Sequence, residues 1–589
     1  MAKKLKEVDV VLVGLGWTGG ILAKELSAAG LKVVALERGG MRTTENDYSV
    51  PQVRDELRFV VRHDLMQNTQ KDTLTIRNNV QQEALPMRRL GSFLPGEVVG
   101  GSGVHWSGHT WRWTDEEFKI RTLYEERYGK KFIPEDMTIQ DWGITYDEME
   151  AFYTRSESEV GVSGKAGNIN GKKIEGGNIF EGWRSKEYPM PPKKLPYISA
   201  MFEGAAKSLG YHPYPNPTAI NSVDYTNPQG VSRPACALCG FCERFGCMIS
   251  AKAQPTNVLL PLVRNQKGVT IRNGSEVRRI VHDTAQAGGK ARGVTYIDES
   301  GEEVFQPADL VFLSSWTLNN THLLLTSDLG NRYNPATGKG TLGRNLTHQV
   351  FFSVSAFLDK PLNRFMGAGG TGMRVGDFEG DALDQSNLPF LRGGTIQGNS
   401  VGTQPIASFG VLPRSIKATW GNEWKKAAID YYDRTGVVSF SGEQIPHKGN
   451  YFDLDPTYKN HAGDPLLRMT MNWRENEREM AKFMNDKIVE IVRAMGAKEV
   501  NPFAGYGNYD LVRYQSTHVQ GGTIMAPSPD LGVVNTYQQH WQASNLFVLG
   551  ASTFPNSGAA NPTPTILALT YRTADAIVDR YLKKPGMLA

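Results

Sequence analysis

The sequence predicts an α/β fold organised around a nucleotide-binding crossover, and three observations lead there. The chain opens on an apolar run, Val8 to Val13, and passes at once into the turn Gly14-Leu15-Gly16-Trp17-Thr18-Gly19. An amphipathic run, Ile21 to Ala29, and a second apolar strand, Lys32 to Leu36, complete a strand–turn–helix–strand unit. The C-terminus closes on another strand–loop–helix unit, with a strand at Leu546 to Gly550 and a helix from about Thr565 to Tyr581.

Length and charge narrow the function classes. A chain of 589 residues and 65.2 kDa suggests several domains or one large composite unit. With 40% hydrophobic and 21% charged residues, wholesale disorder and a fibrous fold are excluded. Net charge is only +4, and the one basic run is Lys3, Lys4 and Lys6, so nucleic acid is not an expected partner. No stretch approaches the ~20 apolar residues of a membrane span. The first strand starts close to Met1 and leaves no room for a secretory leader, so any export is expected to depend on something else.

Each motif carries its own chemistry. In the N-terminal turn, Gly14 makes the bend, Gly16 lets a pyrophosphate approach the backbone, and Gly19 lets the helix pack on the strand. The helix N-terminus then stabilises the phosphates. Glu37 ends the second strand, placed to accept hydrogen bonds from a ribose. The segment Val98 to His109 is rich in Gly and Ser, which would let backbone pass close to a flat cofactor. His105 and His109 stand at metal-ligand spacing for a helix, but the flanking glycines argue against a helix and against a metal. Two histidines satisfied by hydrogen bonds and a cofactor role stand level there.

Four cysteines, Cys236, Cys239, Cys242 and Cys247, fall within twelve residues, and the chain has no others. Disulfides over such short loops would stabilise little. Structural zinc usually draws on two pairs separated by a longer loop. The tight C-x2-C-x2-C-x4-C run, with Gly240 and Gly246 inside it, favours an iron–sulfur cluster over zinc or free thiols. Near the C-terminus, His518 precedes Gly521 and Gly522, and Asn561 follows 43 residues later. A neutral imidazole suits the removal of a hydroxyl proton, and an amide could hold the substrate oxygen. A loop histidine satisfied by its neighbours is the competing reading.

In their order along the chain, these segments resemble the glucose–methanol–choline (GMC) oxidoreductases, a flavoprotein family. Within it the sequence is most similar to the gluconate 2-dehydrogenase flavoprotein (large) subunits and related FAD sugar dehydrogenases. The runs that carry this are Tyr124-Glu125-Glu126-Arg127-Tyr128-Gly129, Asp136-Met137-Thr138-Ile139-Gln140-Asp141, Cys239-Gly240-Phe241-Cys242 and Asp453-Leu454-Asp455-Pro456-Thr457-Tyr458. The resemblance implies a Rossmann-like FAD-binding domain assembled from separated segments, with an inserted sheet-plus-helix substrate domain. The flavin part would be 1–125, 226–345 and 505–589, with a cysteine loop at 234–250. The substrate part would be 126–225 and 346–504.

The resemblance further implies FAD contacts at Gly14, Gly16, Gly19, Glu37, Arg38, Gly100, Gly101, Ser102, His105, Gly550 and Ala551. Val104-His105-Trp106 resembles the segment of pyranose oxidases whose histidine is bonded to the flavin, which makes His105 a candidate covalent link. Gly550 stands where many relatives carry Asp, so contact there would be through backbone. By the same resemblance His518 is the catalytic base and Asn561 its partner. The cysteines would hold a [3Fe–4S] cluster, one of the four remaining free. The implied activity is a dehydrogenase that oxidises a secondary hydroxyl of a sugar or sugar acid and relays electrons through the cluster to a cytochrome c. A small subunit with a twin-arginine export signal would carry the chain to the periplasm, associated with the membrane through its partners; without such a partner it would be cytoplasmic. The alternatives are a glycoside 3-dehydrogenase, an oxidase producing hydrogen peroxide, and a non-enzymatic electron carrier.

The remaining expectations concern local structure. Val350–Phe357 and Leu466–Trp473 alternate as strands of a sheet. Arg474–Met495 reads as a helix with a solvated charged face. Pro213 to Pro234 is expected to be a surface loop. Gly367 to Gly372 reads as a turn or a cover of the site. Trp106, Trp111 and Trp113 are candidate stacking residues, though core is the stronger reading for them.

Overall fold

The computed structural model describes all residues except Met1, Leu90, Ser92, 285–288, Asp381, 400–405, 407, 408, Gln515 and Ala589. Its largest sheet has eight strands. Val8–Val13, Val33–Leu36, Val269–Arg272 and Leu546–Val548 run parallel to the last half of Glu303–Leu313 or to one another. These strands are continuous runs of Val, Leu and Phe because both faces are covered, and Val10, Val11, Leu12 and Phe312 have no exposed surface. The first half of Glu303–Leu313 turns antiparallel, pairing with Ala291–Ile297, which pairs with Glu276–His282.

Helix Trp17–Ala28 and the last helix, Thr563–Ala576, pack against each other beside this sheet. The last helix also packs on Tyr146–Val160, whose start is fixed by a capping box between Thr145 and Glu148.

A second sheet of six strands is antiparallel throughout. Its order is Glu499–Asn501, Val350–Phe357, Thr435–Gly442, Gly394–Asn399, Gly372–Val375 and Pro213–Pro215. One face carries apolar side chains such as Val354, Val438 and Ile396. Helix Glu475–Ala494 lays Met480, Met484, Ile488 and Ile491 on the core side while its charged face meets solvent. The other face carries Ser353, Ser439, Ser441, Gln397 and Asn399 toward a cavity.

Two local expectations are corrected. The strand expected at Leu466–Trp473 forms as Pro465–Thr470, but it joins Tyr451–Lys459 and Thr75–Arg77 in a separate four-stranded sheet. Alternation identifies a strand but not its partner. The segment Pro213 to Pro234 is not wholly a surface loop. Pro213–Pro215 is an edge strand, and Asn216 through Asn221 are buried. Proline is tolerated there because an edge strand needs only one row of ladder bonds.

Candidate active site

The N-terminal turn folds as its glycines dictate. Gly14 has φ +93°, and a Cβ on it would lie 2.7 Å from the carbonyl oxygen of Ser314. A Cβ on Gly19 would lie 2.1 Å from the Gly14 carbonyl oxygen, so the helix docks only because that atom is absent. Glu37 accepts the N–H of Leu15 at 2.9 Å and of Gly39 at 2.8 Å. It therefore ties the second strand to the glycine turn. Burial pushes its pKa up, against the pull of those two N–H groups.

A cavity of about 640 Å³ runs from this turn to the serine-lined face of the second sheet. Gly14, Gly16, Glu37, Arg38, Gly100, Gly101, Ser102, His105, Gly550 and Ala551 all line it. Gly19 does not line it; its contribution is the helix packing just described. His518 and Asn561 line the same cavity.

At that end the geometry is specific. The strands Thr347–His348 and Val519–Gln520 pair antiparallel, His348 opposite Val519, so that Gln349 comes to stand beside His518. The Gln349 side chain accepts a hydrogen bond from His518 Nδ1. Asn561 Nδ2 donates to His518 Nε2 at 2.8 Å. Protein surrounds the imidazole, although part of its surface opens on the cavity. Burial, and then the charge of Arg374, lower its pKa to about 4. The ring is thus neutral at pH 7.

Comparison with known proteins gives the family. Models of the GMC oxidoreductases match residues 200–351 and 446–570. The chain is 44% identical over its full length to the gluconate 2-dehydrogenase flavoprotein of Pantoea cypripedii, covering 96% of it. The chain belongs to the GMC oxidoreductase family. It is also 25% identical to the fructose dehydrogenase large subunit of Gluconobacter japonicus, with 98% of this chain and 99% of that one covered. Among solved structures, formate oxidase of Aspergillus oryzae shares the fold, with a TM-score of 0.59 at 15% identity over 99% of this chain and 100% of that one. The protein is therefore an FAD-dependent oxidoreductase that acts on CH–OH groups.

The GMC cofactor fits the residues present. The glycine turn has no room for side chains at Gly14 and Gly19, the Glu37 carboxylate reaches the cavity wall, and His105 leaves a buried Nε2 with no hydrogen-bond partner among the described residues. Burial, and next the nearby Lys252, lower the His105 pKa to about 3, so this nitrogen is unprotonated or a neutral N–H. The segment around it is a turn, with only a short 3-10 element at Gly101–Gly103, and no helix aligns His105 with His109. His109 Nδ1 instead meets the Asn216 amide nitrogen at 2.9 Å.

Behind His109 lies Arg374, a fully buried guanidinium. It donates to Asn216 Oδ1 at 3.0 Å, and to Thr395 and Gln397, and stacks 3.5 Å over Trp111. It forms no ion pair with a carboxylate among the described residues, and burial lowers its pKa to about 10. Trp111 and Trp113 are buried core, while Trp106 lines the cavity.

The cysteine loop abuts this cavity through Glu243 and Arg244. Among the described residues, no group of three or more His, Cys, Asp or Glu side chains is gathered into a metal site. The four thiols are nonetheless neighbours, each pair of Cys239 and Cys242 with Cys236 and Cys247 interacting electrostatically. Backbone N–H groups point at every sulfur: Leu238 at Cys236, Phe241 at Cys239, Gly369 at Cys242 and Lys252 at Cys247. Lys252 is buried and donates to the carbonyls of Trp106, Cys242 and Phe245 at 2.7–2.8 Å. Arg233, also buried, donates to the carbonyls of Ala251 and Val160. Neither forms an ion pair among the described residues. Leu238, Arg244 and Ser250 all hold left-handed backbone, a cost of about 1–2 kcal/mol each for non-glycine residues.

Gln349, Arg374, Asn216 and Lys252 have no signal in the sequence. Each has at least one partner far away along the chain, and none of them belongs to a motif.

Proposed function

We propose that the protein is the flavoprotein subunit of a dehydrogenase that oxidises a secondary hydroxyl of a sugar acid, in the manner of a gluconate 2-dehydrogenase. The observation that carries this is His518, a neutral imidazole that faces the cavity with Asn561 2.8 Å from its Nε2. A substrate hydroxyl arriving there gives its proton to Nε2, in competition with the Asn561 N–H, which turns to the same oxygen. The amide then stabilises the charge that develops on that oxygen as the proton leaves. Bound FAD supplies the two-electron acceptor for the carbinol hydrogen. Gly14, Gly16, Glu37 and Arg38 would hold its nucleotide end, and Gly100, Gly101, Ser102, Gly550 and Ala551 its ring system, with His105 as the candidate covalent link.

Arg374 supports an acid over a neutral glycoside. A buried cation behind His109 and Gln397, which feels Glu379 but forms no ion pair among the described residues, favours anions in the adjoining cavity. Ser439, Ser441 and Asn399 offer hydrogen-bonding groups that suit a polyol chain.

The cysteine loop is suited to an anionic centre: four thiols, N–H donors to each, and two buried cations, Lys252 and Arg233, that form no ion pair among the described residues. Burial pushes the Cys242 thiol up to about 12, so it stays protonated unless a bound cation offsets that cost. An iron–sulfur cluster on Cys236, Cys239, Cys242 and Cys247, of the [3Fe–4S] type if one of them stays free, would supply a one-electron exit toward a cytochrome c. The large-subunit relative supports an assembly with a small subunit; in this reading that partner would give the chain a periplasmic, membrane-associated site of action. No helix among the described residues is long and apolar enough to cross a membrane. The domain plan offered with this reading keeps the flavin part at 1–125, 226–345 and 505–589 and the substrate part at 126–225 and 346–504.

The test is an optical spectrum with iron and acid-labile sulfide analysis, before and after anaerobic gluconate and then methyl glucoside. Bleaching by gluconate with iron and sulfide near three to four per chain, a familiar ratio for such clusters, is the expected result. Bleaching only by the glucoside moves the substrate to a glycoside. Protein prepared without air that holds no iron removes the relay and makes an oxidase the better account.

A further inference from the structure

We infer that Gln349 is a positioning residue for the base, holding His518 in the tautomer with its proton on Nδ1 and Nε2 open to the substrate. This rests on the reading of His518 as the base. The orientation of the Gln349 amide is fixed from its other end. Its Nε2 donates to the carbonyls of Gly558 and Ala559 at 2.8 Å and of Ala560 at 3.3 Å. Three acceptors around one NH2 group leave the opposite atom, Oε1, facing His518 Nδ1. An oxygen there can only accept, so Nδ1 must carry the hydrogen, and Nε2 of the neutral ring is left with a lone pair.

The same short loop that aims Gln349 carries Asn561, so one stretch of chain, Gly558 to Asn561, addresses both ring nitrogens. The backbone braces it. Tyr514 donates its hydroxyl to the Gln349 carbonyl, Ser441 donates to the Ala559 carbonyl at 3.1 Å, and the Ala559 N–H donates to Glu117 at 3.0 Å.

In the reaction the hydroxyl O–H bond breaks and an Nε2–H bond forms. With FAD bound, the carbinol hydrogen would leave with its electron pair to that acceptor, so the alcohol would become a ketone. Gln349 Oε1 accepts the Nδ1–H before and after the transfer and needs no rearrangement. The charged and titratable groups that act on His518 from neighbouring elements are Arg374, His109 and His348, and Glu117 bonds the loop. None of them is a partner of Nδ1.

The test compares Gln349→Leu, Gln349→Glu and His518→Asn with the parent holoenzyme in anaerobic rapid mixing with gluconate across pH. Leucine removes the acceptor and lets the ring exchange tautomers. The limiting rate of flavin reduction should fall at least about tenfold, with flavin content kept and half-saturation within about twofold. Glutamate keeps the shape but, once ionised, favours the imidazolium, so the acid limb of the rate should move to higher pH by about one unit or more. A merely structural role would not move that limb. If Gln349→Leu does not accumulate, the limb of Gln349→Glu decides. The inference is overturned if both variants stay within about twofold of the parent, or if Gln349→Glu loses rate with its limb unmoved. A His518→Asn enzyme that retains most of its rate would instead refute His518 as the base, a separate outcome.

Discussion

Two histidines on one cavity wall show how differently the same side chain can be held. His518 has a partner on each ring nitrogen, Gln349 on Nδ1 and Asn561 on Nε2. His105, which lines the same cavity, leaves its Nε2 buried and, among the described residues, unpartnered. Burial lowers the pKa of both, to about 4 and about 3. The lesson lies in the partners. A completed set of hydrogen bonds selects one tautomer and makes a proton acceptor, whereas a vacant buried nitrogen costs free energy unless another group meets it.

That contrast can be broken by substitution. The largest effect is expected at His518. His518→Asn should lower the limiting rate of flavin reduction by roughly 10²–10⁴-fold, the span of general base catalysis, with flavin content unchanged in the optical spectrum. His105→Ala should act on the cofactor rather than on the proton. Denaturation and precipitation should then release the flavin into the supernatant, whereas the parent's flavin stays with the chain. Flavin released equally from both would remove the covalent link from the account.

Arg374→Gln sharpens the comparison from behind. Removing this buried cation should raise the half-saturating gluconate concentration by about tenfold, the order of one charge–charge contact in a partly screened site, and leave methyl glucoside within about twofold. It should also raise the His518 pKa, because Arg374 depresses it. Equal changes for acid and glycoside would show that the arginine only supports the sheet.

The regions legible in the sequence are those whose chemistry is contiguous. The turn Gly14 to Gly19 with its two strands and Glu37 is one local unit, and its geometry follows from steric rules. The last helix and the strand before it were equally plain. Placing His518 beside Asn561 needed the resemblance to GMC oxidoreductases, since spacing alone could not fold one onto the other. Gln349 meets His518 across 169 residues, and Arg374 meets Asn216 across 158, through sheet registers that no periodicity encodes. The edge strand at Pro213–Pro215 was hidden for a related reason. Its prolines read as loop until a neighbouring strand, Gly372–Val375, accepts it at the sheet margin.

The most direct test of the account is the pH dependence of anaerobic flavin reduction by gluconate in the parent enzyme. In the proposed reaction His518 acts as a neutral base, and burial with Arg374 holds its pKa below the ordinary histidine range. A group depressed in this way stays deprotonated as pH falls through 6.5 and is protonated only as pH approaches 4. The limiting rate should therefore be level from pH 8 to about 6 and fall below that on a single acid limb. A limb centred at or above the ordinary imidazole value, near 6.5, would contradict it, and so would a rate indifferent to pH down to 4.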